Sequence, residues 1–209
     1  MDFVKFINNI SRLRSVPLGG LEAQFKLAPK LRLQYDVETI KSRNPKKAAV
    51  LALFYPNEEQ KTTFLLTQRA SYKGTHSAQI SFPGGKIEED DNQLSDTALR
   101  ETHEEVGVHQ NLVKIIREIT DVYIPPSNFL ATPFIGYTEK RPAFTLNEEV
   151  EKTIEILVSD LLDDNNVDSI VMNTSYMDQV SVPCFKLNDH IVWGATGMIL
   201  SEIKEMLKF

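Results

Sequence analysis

Arg100-Glu101-Thr102-His103-Glu104-Glu105-Val106-Gly107-Val108 is the stretch on which the reading of this chain turns. Leu94, Ala98, Thr102 and Val106 recur at helical spacing and Gly107 supplies a stop, so a helix is expected over Leu94 to Val106. With Ala98 at zero and about 100° per residue, Leu94 falls near −40°, Thr102 near +40° and Val106 near +80°. That arc is expected to meet a sheet. Glu105, near about −20°, lies inside it and Glu101, near about −60°, on its edge, while His103, near about +140°, points away and reads as structural. An ionised carboxylate on a buried arc is costly unless something positive meets it. Carboxylates at i, i+3 and i+4 can converge on a hard divalent cation, and Arg100, four residues before Glu104, can orient that side chain. A solvated acidic face is the usual fate of an E-x-x-E-E run, and the helix alone favours that reading.

The flanks define the fold class. Ala48–Phe54 is an apolar run of buried-strand length closed by Pro56-Asn57, and Thr62–Thr67 reads as its hairpin partner. Arg69 to Gly85, with Gly74, Pro83, Gly84 and Gly85, is a long stretch of little periodicity, and such loops are usually functional. Strands are expected at Lys114–Tyr123, Ala131–Tyr137, Thr153–Val158, Val182–Leu187 and Ile191–Trp193, with Asn188-Asp189 turning between the last two. A helix is expected over Gly197 to Leu207. Strands outnumber helices and do not alternate regularly with them, so the expectation is an α/β chain with helices on a mixed sheet. Residues 1–45 read as an N-terminal helical appendage packed on the same domain: one amphipathic helix over Met1–Ser15, the turn Pro17-Leu18-Gly19-Gly20, then a polar segment. Residues 46–209 form the main domain.

Composition removes alternatives. The 209 residues carry 23 Lys plus Arg and 29 Asp plus Glu, a formal charge of −6 that argues against general nucleic-acid binding. The single cysteine, Cys184, excludes an internal disulfide, fits a reducing compartment and reads as a core residue. No zinc motif, nucleophile elbow, Walker loop or dinucleotide fingerprint occurs. No run of eighteen apolar residues is present, so no membrane span is expected and the cytoplasm is the default.

Upstream, Phe82-Pro83-Gly84-Gly85-Lys86 leads into Glu88-Glu89-Asp90-Asp91 and the helix. The whole resembles the box of the Nudix hydrolases, G-x5-E-x7-R-E-U-x-E-E-x-G-U, where U is a bulky aliphatic residue. Its tail matches as Arg100-Glu101-x-x-Glu104-Glu105-x-Gly107-Val108, with Thr102 where an aliphatic residue is usual. The interval from Gly85 to Arg100 is one residue longer than the general box. That length resembles the coenzyme A pyrophosphatase branch, in which an acid sits six positions after the second glycine, here Asp91. Leu65-Leu66-Thr67-Gln68-Arg69-Ala70 and Phe82-Pro83-Gly84-Gly85 resemble the branch's upstream signature, with departures at Gly74 (Arg in the signature) and Ala78 (Gly). Ile124-Pro125-Pro126-Ser127-Asn128-Phe129, Glu149-Val150 and Trp193-Gly194-Ala195-Thr196 also look like that branch.

The resemblance implies a Nudix-type α/β/α sandwich around a mixed β-sheet. It also implies metal-dependent hydrolysis of the diphosphate of coenzyme A or its thioesters. Glu101, Glu104 and Glu105, with the Gly85 carbonyl, match the metal-binding positions for Mg²⁺ or Mn²⁺. Arg100 joins the catalytic set by the same matching, and Glu149, beside Val150, by its likeness to a further acid that the family draws from such a loop, with a solvated loop acid as the competing reading. Arg69, Lys73, His76, Lys86 and Gly84 are expected to contact substrate, with Arg69 and Lys73 as a clamp on the extra 3′-phosphate; for the lysines and His76 ordinary surface exposure is the competing reading. Trp193 reads as packing, with stacking on a base as the other option. The expected partner is a small coenzyme A-like diphosphate, with no nucleic acid, no membrane and a homodimer as an open option. ADP-ribose or dinucleoside polyphosphates are alternative substrates, and a non-catalytic Nudix-fold module that binds a nucleotide or a protein is the alternative class.

Overall fold

The computed structural model describes residues 1–70, 79–174 and 177–208. In chain order the elements are α1 (Phe3–Asn8), α2 (Ile10–Ser15), α3 (Gly20–Phe25), a 3-10 turn (Lys30–Gln34), α4 (Val37–Ser42), β1 (Lys46–Pro56), β2 (Thr62–Arg69), β3 (Ile80–Ser81), β4 (Gly84–Lys86) and α5 (Leu94–Val106). They continue as β5 (Lys114–Glu118), β6 (Val122–Ile124), β7 (Phe129–Tyr137), β8 (Val150–Leu157), α6 (Val158–Leu162), β9 (Val167–Thr174), β10 (Met177–Leu187), β11 (His190–Trp193) and α7 (Gly194–Met206).

The central strand is β1. It pairs in parallel with β7, from Lys46↔Phe129 to Phe54↔Tyr137, and antiparallel with β2 at one end and β4 at the other. β2 in turn pairs with β3 and β8, and β7 with β5 and β6, which makes the sheet mixed. Because side chains alternate along β1, its two faces carry different cores. Ala49, Leu51, Leu53 and Tyr55 pack with Ala98, Val106 and Val108 of the α5 side. Ala52 and Phe54 pack on the opposite face with Phe6, Leu13, Leu200 and Ile203 from α1, α2 and α7. The result is the expected α/β/α layering. β9, β10 and β11 form a second, three-stranded sheet.

Several local readings change. The amphipathic stretch at the start is two helices broken at Asn9 (φ −100°, ψ 5°), whose side-chain amide donates to the Lys5 carbonyl. Phe6 of α1 stacks on Phe54, ring centroids 5.1 Å apart. The segment after it holds α3, the 3-10 turn and α4, where turn and polar chain were expected. The strand expected at Lys114–Tyr123 divides into β5 and β6, because Thr120 turns away to the α7 side and donates to Glu202 (2.7 Å). β9 was not anticipated, since its Val-Asp-Ser-Ile-Val-Met-Asn-Thr sequence has no clean alternation. Asn188 and Asp189 do turn β10 into β11, both at positive φ as a primed hairpin requires.

A fully buried carboxylate fastens the N-terminal helices to the rest. Glu202 of α7 accepts from the Gly20 amide (3.0 Å), the Gln24 side chain (2.9 Å) and Thr120. Arg117 of β5 donates to the Leu13 and Val16 carbonyls (3.2 and 2.7 Å), satisfying the free end of α2. Among the described residues no helix is long and apolar enough to cross a membrane.

Candidate active site

α5 is held at both ends by chemistry readable in its sequence. Gly107 takes the left-handed conformation (φ 75°) and its amide donates to the His103 carbonyl (2.9 Å). A Cβ there would meet Thr145 at 3.0–3.1 Å, because the 145–147 segment closes the helix by donating to the Val106 and Glu105 carbonyls. At the other end Asp91 accepts from Thr97 (2.8 Å) and receives two bonds from Arg100, Nε to Oδ1 (3.1 Å) and Nη2 to Oδ2 (2.9 Å). Arg100 also donates to the Lys86 carbonyl (3.0 Å), tying helix to β4. This two-pronged pair holds the Asp91 carboxyl down at about 2, through the Arg100 hydrogen bonds first.

With α5 so placed, its carboxylates part company. Glu105 is buried and accepts from the Gly84 amide (3.2 Å). Burial pushes its carboxyl up to about 7, against the pull of Gly84 and Arg69, with Glu101 and Glu149 adding repulsion. Glu101 lies over β4, so close that a Cβ on Gly85 would come within 2.3 Å of its Oε1. Its pKa is raised by burial and by Glu104 and Glu149, and lowered by Arg100. Glu104 has a 52% exposed side chain and pairs with Arg100 (3.1 Å) as i, i+4 spacing suggests. Arg100 Nη1 stands 3.1 Å from both Glu101 Oε1 and Glu104 Oε2, so a guanidinium lies between those two carboxylates. Among the described residues no three His, Cys, Asp or Glu side chains converge on one metal-sized point.

A cleft of about 520 Å³ opens beside β4. Glu101, Glu105, Glu149, Arg69, Gly84, Gly85 and Lys86 line it, and Glu104 does not. Arg69 and Glu149 reach it because β2 and β8 pair with Arg69 opposite Val150; their side chains form an ion pair at 2.7 Å. Ile80, Phe82, Ile124, Pro126, Phe129 and Trp193 give the cleft apolar walls. Lys73 and His76, with Gly74 and Ala78, lie outside the described residues. His103 is exposed and Cys184 is buried, as expected. Trp193 is only partly buried and faces the cleft. Arg32 also lines the cleft, and no motif or periodicity around Lys30–Gln34 marks it.

The donors suit a divalent cation. Glu101, Glu105 and Glu149 are all-oxygen, hard ligands on one cleft, two of them half-buried or more and repelling one another. The side-chain-free Gly84-Gly85 backbone lies against them, and a methyl group at 85 would take Glu101's place.

An acidic helix laid across a Gly-Gly strand beside a mixed sheet is the arrangement of the Nudix hydrolases, and the chain belongs to that family: the NUDIX domain profile matches residues 45–172. Nudix hydrolases generally use divalent metal ions. Two relatives make the placement concrete. The chain is 32% identical over 164 residues to Nudix hydrolase 22, chloroplastic, of Arabidopsis thaliana, covering 75% of this chain and 53% of that protein. It is 29% identical over 167 residues to the uncharacterized Nudix hydrolase NudL of Yersinia pestis (strain Pestoides F), covering 79% of this chain and 82% of that one. The chain thus spans about half the length of the plant relatives it matches. A solved MutT/nudix family protein from Enterococcus faecalis has the same fold, with a TM-score of 0.52 at 14% identity over 83% of this chain and 70% of that one.

Proposed function

We propose that this protein is a metal-dependent diphosphatase acting on coenzyme A or its thioesters, releasing 3′,5′-ADP and 4′-phosphopantetheine or its acyl form. The observation that carries the reading is the Arg100–Asp91 pair. Asp91 is the acid at the position characteristic of the longer box, and here it is the residue that locks Arg100 and so sets α5 against β4. The Leu65–Ala70 and Phe82–Gly85 segments of the same signature end at the cleft.

Glu101 and Glu105 would hold Mg²⁺ or Mn²⁺, with the Gly85 carbonyl as a further oxygen. When bound, the cation neutralises diphosphate oxygens and acidifies water. The chain's own groups do the rest. Arg69 and Lys86 offset phosphate charge at the reacting end. Glu149, at the rim and oriented by Arg69, takes the proton from the attacking water. The apolar walls, with Phe129 and Trp193, receive the organic portion and keep solvent from it.

The test is kcat/KM for coenzyme A, an acyl-CoA, dephospho-coenzyme A and ADP-ribose under Mg²⁺ and under Mn²⁺, with products identified. Coenzyme A or its thioester should lead. A clear preference for ADP-ribose would overturn the substrate and leave the family intact.

A further inference from the structure

We propose that Arg32 recognises a phosphate monoester on the nucleoside half of the substrate, and so sets selectivity for coenzyme A over diphosphates lacking that group. The proposal rests on the coenzyme A reading above. It moves the clamp expected at Arg69 to a residue outside the matched domain. Arg69 stands at the reacting end, ion-paired to Glu149 beside the carboxylates. A second cation is needed farther along the cleft if an extra phosphate is to be held there.

The sheet register supplies the distance. Ile87 bonds Lys47, which pairs with Leu130, which pairs with Tyr123. Tyr123 therefore lies three strand spacings, about 14 Å, from the β4 edge over which Glu101 and Glu105 lie. Arg32 donates from its guanidinium to the Tyr123 carbonyl and lines the same cleft. Between the two ends lie Ala48, Ala131 and Phe129. The cleft thus has an acidic, metal-suited end, an apolar middle and a cationic end. A diphosphate cleaved at the first and bearing a phosphate on its ribose would span it.

Arg32 is only 8% exposed, so its guanidinium stands in the cleft wall with little water around it. Its mount is rigid. The Tyr35 ring meets Tyr123 edge-on at 5.4 Å, and Arg43 lies 4.9 Å over Tyr35. Asn128 closes the loop, accepting from the Tyr123 hydroxyl (2.9 Å) and donating to the Arg43 carbonyl (3.0 Å). A pre-oriented planar fork in a poorly solvated wall is the donor geometry that phosphate oxygens take best.

The experiment compares the wild type with R32Q, R32K and R69Q on coenzyme A and dephospho-coenzyme A. For R32Q the ratio of kcat/KM between the two substrates should fall about 10- to 100-fold, mainly through KM for coenzyme A. R69Q should lower both substrates together. An unchanged ratio in R32Q overturns the proposal. If R32Q fails to fold, R32K decides, since it keeps the charge and loses the fork; a wild-type ratio there is equally fatal. Calorimetry with 3′,5′-ADP and 5′-AMP separates this idea from the substrate reading. The wild type should bind 3′,5′-ADP about tenfold or more tightly than AMP, with the gap lost in R32Q. Equal wild-type affinities overturn the Arg32 assignment whatever is turned over, whereas faster ADP-ribose turnover with that gap present overturns only the coenzyme A reading.

Discussion

Arg100 touches four carboxylates, yet only its bond pair with Asp91 has the short, two-point geometry that survives solvent competition. Asp91, 5% exposed in its side chain, is held down at about 2 against an ordinary value near 3.8. A depressed carboxyl pKa contributes stability that is present above the unfolded value and lost as pH falls through the folded one. We expect Asp91→Asn to cost about 2 kcal/mol at pH 7, with the difference from wild type shrinking between about pH 4 and pH 2, as read by urea unfolding across that range. Glu149→Gln should lower kcat by about 10²- to 10⁴-fold with a smaller change in KM; wild-type kcat across the pH range would remove it as the base. Glu105→Gln should abolish most turnover and most of the metal-induced rise in Tm. The carboxylates were legible in advance because helical angle and box position both select Glu105 and Glu101. The separation of Glu104 was less so, since its fate depends on which acids Arg100 binds. Arg32 was not legible at all: its place depends on a Tyr123 carbonyl 91 residues away.

At the level of elements, α5 was anticipated from Leu94 to Val106 because apolar spacing and a glycine stop agree. The N-terminal helix was not anticipated as two pieces, because periodicity is blind to a break that keeps phase. Glu202 illustrates a stronger limit. In α7 it falls among Leu200, Ile203 and Met206, and nothing local says that a carboxylate there will be met by donors from α3 and Thr120. Glu202→Leu strands those donors and should cost about 3 kcal/mol in chemical denaturation. Gly85→Ala tests the strand that carries the site. A methyl group 2.3 Å from the Glu101 carboxylate must displace it, so the variant should lose activity as Glu101→Gln does while its Tm stays near wild type.

The whole molecule balances site against fold. Burying Glu101 and Glu105 side by side is a cost carried for binding, which a divalent cation would repay. Metal at about 100 times its Kd should stabilise the protein by roughly 2.7 kcal/mol, seen as a higher Tm than in chelator, and the gain should vanish in the Glu101→Gln/Glu105→Gln variant. The mixed sheet was legible because strand count and irregular alternation exclude a doubly wound sheet, and its layers only through the resemblance carried by the box, whereas β9 was hidden by its mixed polar pattern. The cleft itself is a product of distant chain: its cationic end comes from the 3-10 turn before β1, its helical carboxylates from α5, and its Trp193 wall from the end of β11. During synthesis these arrive in order, and Glu202, which fastens the earliest helices, arrives after Trp193. A nascent chain stalled before Glu202 would display the acidic helix with its earliest helices still unfastened. The fastening of the earliest helices therefore waits on α7, because the helix that supplies Glu202 comes later in the chain than the parts it steadies.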